Sequence, residues 1–194
     1  NQKLIIIKLK KNLSSLENEK KGAEFYSFIK SNSIYNLTFL EKNVTENQSK
    51  YFIHEFLHGL ELKSYEFEKY KSKKNNHIFN IDILASGAKL KLNHNKRFSS
   101  LIEGTNYTKD LVSEPGNILH PDEYAKRLVK LKSLGLKVSV YDEKKLKQLG
   151  MNALLGVGQG SIRGSYLVTI EWNGANKKNK PLAFVGKGVS FDTG

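Results

Sequence analysis

The segment PLAFVGKGVSFDTG at positions 181–194 carries the clearest signal of architecture and of a site. Its apolar beginning predicts a strand over 182–185, after which Lys187 stands between two glycines and Asp192 follows. Ligands of open α/β sheets bind beyond the carboxyl ends of strands, and flanking glycines allow the backbone to approach a ligand closely. A lysine held there can bind an anion as an ammonium group, or coordinate a metal as a neutral amine. An ordinary surface loop is the structural alternative.

Upstream of this segment, strand and helix patterns alternate, which is typical of an α/β fold. Apolar runs predict strands over residues 4–9, 34–40, 78–84, 136–141, 153–157 and 166–172. Helices are predicted to begin near Ser14, Thr45, Asn93, Pro121 and Asp142. The long third helix is ended by EPGN at 114–117, because proline disfavours the preceding helical turn. We therefore expect the closing part of an α/β domain over 1–92, an interdomain helix over 93–114 and the beginning of a second domain over 115–194.

The composition is that of a globular chain. Of 194 residues, 39% are hydrophobic and 26% are charged, which excludes a disordered acidic or low-complexity protein. The longest aliphatic run covers residues 4–7, far short of the roughly 20 apolar residues of a membrane helix. No secretory signal pattern is visible, and the absence of cysteine excludes disulfides. Because the chain opens on Asn1 and stops inside a loop at Gly194, we expect it to be a piece of a longer protein.

A formal net charge of +13 raises the hypothesis of nucleic-acid binding. Only three of the 32 basic residues are arginines, whereas bidentate phosphate recognition favours arginine. The charge is also spread evenly along the chain instead of forming a tail or stripe. Binding to DNA is therefore kept as an alternative function.

The run HEFLH at 54–58 matches the zinc-peptidase pattern H-E-x-x-H. On a helix, His54 and His58 would share a face and could bind zinc while Glu55 acts as a base. No third ligand stands out downstream, and an amphipathic surface helix shows the same polar stripe. We therefore expect a solvated helix face, with the zinc site as the alternative.

Two further patterns favour structural roles. The loop GVGQGS at 156–161 resembles a phosphate-binding glycine loop, but Ser161 replaces the last glycine and a strand pattern follows, so a tight turn is expected. Tyr65, Phe67 and Tyr70 alternate like one face of a strand and are expected in the core, not in a base-stacking surface.

Taken with its neighbours, VGKGVSFDTG at 185–194 resembles the signature of the leucyl (cytosol) aminopeptidases, which are two-metal exopeptidases. YTKDLVSEPGN at 107–117, Pro121, YA at 124–125, GVGQGS at 156–161, Arg163 and WNG at 172–174 resemble further family segments in the same order. The likeness begins near Gly59 and is most specific from Tyr107 onward. Departures from the common residues are mild, at Lys109, Ser113, Gly116 and Ser190.

The resemblance implies the latter part of a macro-like N-terminal α/β domain, a long linker helix, and the start of a mixed-sheet α/β catalytic domain. It implies a cytoplasmic homohexamer that cleaves N-terminal, leucine-like residues from peptides with two divalent ions, Mn²⁺ or Zn²⁺ or else Mg²⁺. Carried over to this chain, Lys187 would ligate one metal through its neutral amine and Asp192 would bridge both. The other ligands, an aspartate pair and a glutamate, should lie beyond Gly194 together with the catalytic lysine and a bicarbonate-holding arginine. The chain alone would then contain no catalytic residue and be inactive.

Overall fold

The structure, a computed structural model, describes residues 4–8, 10, 12–40, 51–74, 78–85, 88–89, 96–175 and 179–190. The chain divides into two compact units, residues 1–112 and residues 113–194. Both combine helices with a small sheet, which confirms the predicted α/β class in this general form. Among the described helices, none has the length and hydropathy needed to cross a membrane.

In its described residues, the first unit contains three helices and a three-stranded sheet. In chain order its elements are α1 (Ser15–Ser31), β1 (Asn36–Leu40), α2 (Phe52–Ser64), β2 (Asn80–Ala85), β3 (Ala88–Lys89) and α3 (Lys96–Ser113), whose last residue belongs to the second unit. Strand β2 lies between the other two, parallel to β1 and antiparallel to β3. The core of the first unit centres on Tyr26, Ile29 and Leu60.

The helix start predicted near Ser14 is confirmed. Ser14 is the N-cap of α1, and its hydroxyl accepts a hydrogen bond from the Glu17 backbone amide. The Glu17 carboxylate accepts in return from the Ser14 amide at 2.8 Å, which completes a capping box. The hydrogen bonds from Ser14 hold the pKa of Glu17 below its usual value. The predicted starts at Thr45 and Asn93 lie outside the described residues.

Two glycines bring α1 and α2 into backbone contact. A Cβ atom on Gly22 would lie 1.8 Å from the Phe56 carbonyl oxygen, and one on Gly59 would lie 1.9 Å from the Glu19 carbonyl oxygen. No side chain fits in either place, so both positions require glycine.

The second unit contains α4 (Pro121–Val129), a 3₁₀ helix (Lys130–Leu134), β4 (Lys137–Tyr141), α5 (Glu143–Gln148), α6 (Asn152–Gly158) and β5 (Leu167–Glu171). Strands β4 and β5 pair antiparallel, with Lys137 opposite Glu171. The helix starts predicted at Pro121 and Asp142 are confirmed. Pro121 occupies the first turn of α4, and Asp142 caps α5 by accepting from the Lys145 amide at 2.9 Å.

Several sequence predictions were wrong. Residues 153–157 belong to helix α6 instead of a strand, because a short apolar run of Ala and Leu fits both structures and these residues favour a helix. Residues 4–8 and 182–185 have no regular secondary structure, and Leu4 and Ile6 are each 82% exposed. Residues 65–70 also form no strand. An apolar run becomes a strand only where a neighbouring strand takes up its backbone hydrogen bonds.

Candidate functional site

Lys187 lies in an exposed segment without regular secondary structure, residues 179–189. The apolar side chains that precede it are open to solvent, with Leu182 81%, Phe184 90% and Val185 99% exposed. Asp192, the other predicted ligand, falls outside the described residues. The position of Lys187 is therefore set by how the backbone of this segment packs on the rest of the second unit.

The backbone next to Lys187 lies against an aromatic ring of α4. A Cβ atom built on Gly188 would be 2.9 Å from Cε1 and 3.4 Å from Cδ1 of Tyr124, whereas one built on Gly186 would meet nothing within 4 Å. The two glycines that flank the lysine therefore differ. A side chain at position 188 would fit only if the ring or the loop shifted, whereas Gly186 has open space around it.

Helix α4 is held by an ion-pair group that includes a buried carboxylate. Arg127 Nη1 donates to Glu114 Oε1 at 2.8 Å, and Arg127 Nε donates to Glu123 Oε1 at 3.1 Å. The Glu114 side chain is only 2% exposed. Hydrogen bonds to Glu114 and then to Glu123 raise the pKa of Arg127, and the bond from Arg127 lowers the pKa of Glu123. The guanidinium thus ties α4 to the residue that precedes Pro115.

A second polar group surrounds the beginning of α4. His120 is the N-cap, and its Nδ1 lies 3.4 Å from the Glu123 amide and 2.5 Å from Asp122 Oδ1. Arg163 Nη1 lies 3.2 Å from both carboxylate oxygens of Asp122. Partial desolvation raises the pKa of Asp122, but hydrogen bonds from its own backbone, His120 and Arg163 outweigh it and leave the pKa below its usual value. Both ends of α4 are therefore fixed by charged contacts.

The glycine-rich stretch at 156–161 lies partly in helix α6, so the expected tight turn begins later than predicted. A Cβ atom on Gly158 would lie 2.0 Å from the Ser165 hydroxyl oxygen, which explains this glycine by packing. An open surface groove of about 380 Å³ lies beside it, lined by Glu143, Lys144, Lys147, Leu155, Gly158, Gln159 and Ser161.

The HEFLH motif joins α2 to α1, and the predicted solvated face is wrong. Glu55 is 5% exposed and accepts hydrogen bonds from the Ser15 hydroxyl and the Asn18 amide, both at 2.7 Å. His58 is also buried, with Nδ1 2.9 Å from Glu19 Oε1. The small and polar residues of α1 recur every three or four positions, and this spacing could have revealed the buried face.

The structure does not favour the alternative of a zinc site in this motif. The His54 ring stacks on Phe98, with the planes 10° apart and the centroids separated by 6.0 Å. Within the described residues, no three or more His, Cys, Asp or Glu side chains are grouped so that they could hold a metal. In this structure the motif contributes to helix packing.

Comparison with known proteins first supports the fold class. The structure resembles that of the bottromycin maturation enzyme BotP in complex with Mn, with a TM-score of 0.62 and 19% identity over 82% of this chain and 34% of that one. A second structure of BotP gives a TM-score of 0.64 with 18% identity. These likenesses show a shared α/β fold.

Comparison of the sequence then shows a likeness to one peptidase family. Residues 106–194 match the catalytic domain of the cytosol aminopeptidase family. The chain is 49% identical over 146 residues to a probable cytosol aminopeptidase of Phytoplasma mali (strain AT), which covers 72% of this chain and 29% of the relative. It is 45% identical over 151 residues to that of Phytoplasma australiense, covering 77% of this chain and 30% of the relative. Over residues 106–194 the chain is similar to the cytosol aminopeptidase family, which confirms the predicted resemblance. It spans about 30% of the length of these relatives.

Proposed function

We propose that this chain is part of a metal-dependent aminopeptidase that removes N-terminal, leucine-like residues from peptides. The observation that carries the proposal is the family match over residues 106–194, which includes the segment around Lys187. Identity of 45–49% to proteins named probable cytosol aminopeptidases supports a peptidase. The likeness to a fold solved in complex with Mn agrees with a metal-dependent enzyme.

The chemistry of the predicted ligands fits a divalent metal. An amine nitrogen and a carboxylate oxygen are both donors that zinc and manganese accept. The exposed backbone around Lys187 leaves its side chain accessible to an ion. Lys187 and Asp192 alone are too few ligands for a complete site, so the remaining donors would come from residues outside this chain.

Each ligand would have a separate task. Lys187 would bind one ion as a neutral amine, because a divalent cation repels an ammonium group. Asp192 would bridge two ions, since its two oxygens can each face one of them. When bound, two divalent ions, Mn²⁺, Zn²⁺ or Mg²⁺, would supply Lewis acidity and an acidified water for hydrolysis of the terminal peptide bond. The chain alone is proposed to be inactive.

The remaining features of the proposal concern architecture and assembly. We propose a macro-like N-terminal domain over 1–92, a linker helix over 93–114 and the beginning of a mixed-sheet catalytic domain over 115–194. The whole protein would be a cytoplasmic homohexamer. Sedimentation of the longer protein tests the hexamer, because a monomer or dimer at micromolar concentration would contradict it.

A chimera tests the activity. Residues 106–194 of this chain are joined to the flanking parts of the Phytoplasma mali relative, and hydrolysis of leucine-p-nitroanilide is measured with Mn²⁺. We expect turnover by the chimera and none by the present chain alone. Lys187→Met should abolish turnover and Mn²⁺ uptake, whereas Lys180→Met, an exposed lysine of the same segment, should leave both within about twofold. Full turnover with Lys187→Met would remove Lys187 as a ligand, and a folded chimera that binds Mn²⁺ without turnover would count against the peptidase.

Binding to nucleic acid is the second candidate, favoured by the net charge of +13. Several lysines are paired with glutamates in the structure, including Lys21 with Glu24 and Lys137 with Glu171, which weakens the local positive potential. Mobility shifts of a DNA duplex at increasing salt distinguish the two candidates. Retention near physiological ionic strength would favour this role, and loss of binding there would exclude it.

A further inference from the structure

We propose that Tyr124 is a positioning residue that holds the backbone carrying Lys187 by packing its ring against Gly188. The supporting contact is the approach of the Gly188 backbone to the Tyr124 ring, where a Cβ atom would come within 2.9 Å of Cε1. The importance of this contact for metal binding rests on the proposed function. The contact itself is independent of it.

The two sides of this contact differ in how firmly they are held. Tyr124 lies in the first turn of α4, and its amide donates to the His120 carbonyl at 2.9 Å. Arg127, one turn later, joins the helix to the buried carboxylate of Glu114. Gly188 belongs to a segment without regular secondary structure whose apolar side chains are mostly in solvent. A braced helix therefore presents the edge of a ring to a weakly packed loop, which is how a ligand on a loop is kept in place.

The need for glycine at position 188 comes from the ring and not from an unusual backbone angle. Gly135 and Gly150 are the described glycines with positive φ, so neither Gly186 nor Gly188 needs a left-handed conformation. An alanine at 186 would meet nothing within 4 Å, and one at 188 would press on the ring. Either the loop or Tyr124 would have to move, and movement of the loop displaces Lys187. Alanine at the two flanking positions should therefore have different effects, because only Gly188→Ala should displace Lys187.

The ring, and not the hydroxyl group, makes the contact. The atoms nearest to the point where a Cβ on Gly188 would lie are Cε1 and Cδ1 of Tyr124, both aromatic carbons. Phenylalanine at 124 should therefore preserve the packing, and alanine should remove it. Removing the ring should also relieve the clash that an alanine at 188 creates. The double substitution Tyr124→Ala with Gly188→Ala should therefore recover the Mn²⁺ binding that Gly188→Ala loses.

Proton NMR of the full 194-residue chain without metal tests the contact directly. A proton at the edge of an aromatic ring is shifted downfield, so the Gly188 Hα resonance on the Tyr124 side should lie downfield in the wild type and with Tyr124→Phe. It should return to an ordinary loop value with Tyr124→Ala. Far-UV circular dichroism confirms that α4 persists in each variant. Ordinary loop shifts for Gly188 in the wild type would overturn the proposal.

Titration with Mn²⁺ of the chimera proposed above, whose flanking parts supply the remaining ligands, tests the consequence. The paramagnetic ion broadens the resonances near its site, and the concentration that halves the Lys187 amide signal is recorded. Gly188→Ala should raise this concentration about tenfold, as do losses of supporting contacts around metal ligands. Gly186→Ala and Tyr124→Phe should leave it within about twofold, and the double variant should restore it most of the way. Equal effects of the two glycine substitutions would overturn the proposal. No broadening near Lys187 in the wild type would instead contradict the proposed metal ligand, and the Gly188 shifts would still decide the role of Tyr124.

Discussion

The imidazole Nδ1 of His58 lies 2.9 Å from Glu19 Oε1 and joins the middle of α2 to the first half of α1. Three residues earlier, Glu55 accepts from Ser15 and Asn18 across the same interface. In this structure, Glu55 and His58 of a sequence pattern shared with zinc peptidases form buried polar contacts between α2 and α1. These contacts are the polar seam of the first unit. The seam specifies how α1 and α2 pair, because each carboxylate has a partner on the facing helix.

The buried carboxylate of Glu55 should be essential for stability of the first unit. Glu55→Ala leaves the Ser15 hydroxyl and the Asn18 amide without their acceptor, so we expect a loss of about 2–3 kcal/mol in the free energy of unfolding by urea. Glu61→Ala, at an exposed position of the same helix, should change it by less than about 0.5 kcal/mol. Equal, small effects of both substitutions would show that the seam contributes little.

The helix crossing should tolerate no added methyl group. Gly59→Ala places a Cβ atom on the Glu19 carbonyl, so we expect a loss of about 3 kcal/mol or more in stability. Gly104→Ala, inside α3 where nothing lies within 4 Å, should stabilise the chain by about 0.5–1 kcal/mol because alanine favours the helix. Thermal and urea unfolding of both variants measure the difference. If Gly59→Ala left the stability unchanged, α1 and α2 would be able to move apart without loss of stability.

Loss of the guanidinium of Arg127 should destabilise the second unit. Arg127→Leu removes the ion pair of the buried Glu114 carboxylate, and breaking a buried pair costs about 3–5 kcal/mol. Arg163→Leu is the control, because this arginine is 46% exposed and its pair with Asp122 is worth less than about 1 kcal/mol. Hydrogen exchange at the amides of α4 measures both effects. Similar protection of α4 in the two variants would contradict this prediction.

Stability should decrease in acid. The folded-state pKa values of Glu17, Glu66 and Glu123 lie below their usual values because of hydrogen bonds from Ser14, Lys30 and Arg127 respectively. The pKa of Asp122 is also lowered, because hydrogen bonds from its own backbone, His120 and Arg163 outweigh its partial desolvation. The stabilisation is therefore complete above the usual pKa values of 4.5 and 3.8 and is lost as the pH falls through the lower folded values.

Urea midpoints measured between neutral pH and pH 3 check this dependence. Because these carboxylates are exposed or half-exposed, 0.5 M salt should make the decline shallower. Glu123→Gln should also flatten it, since one of the depressed carboxyl groups is then absent. A midpoint that stays constant down to pH 3, or one that rises, would contradict the assignment.

Local signals predicted the features that depend on local structure. The cap at Ser14, the proline start of α4 and the cap at Asp142 each use contacts within four residues, and all three were found. Residues 182–185 look like a strand from composition alone, but a strand also needs a neighbour that the pattern does not contain. At the candidate site, the glycine-flanked lysine was visible in the sequence. The packing of Gly188 on Tyr124 was not, because it joins positions far apart in the chain.

The exposed side chains of Leu182, Phe184 and Val185 have a practical consequence for work with this chain. Three large nonpolar side chains in contact with water form an exposed apolar patch, which should promote self-association as the protein is concentrated. Lys187 would then be shielded by neighbouring molecules in the aggregates. Cation uptake should accordingly be measured in dilute solution, where the amine stays in contact with the solvent.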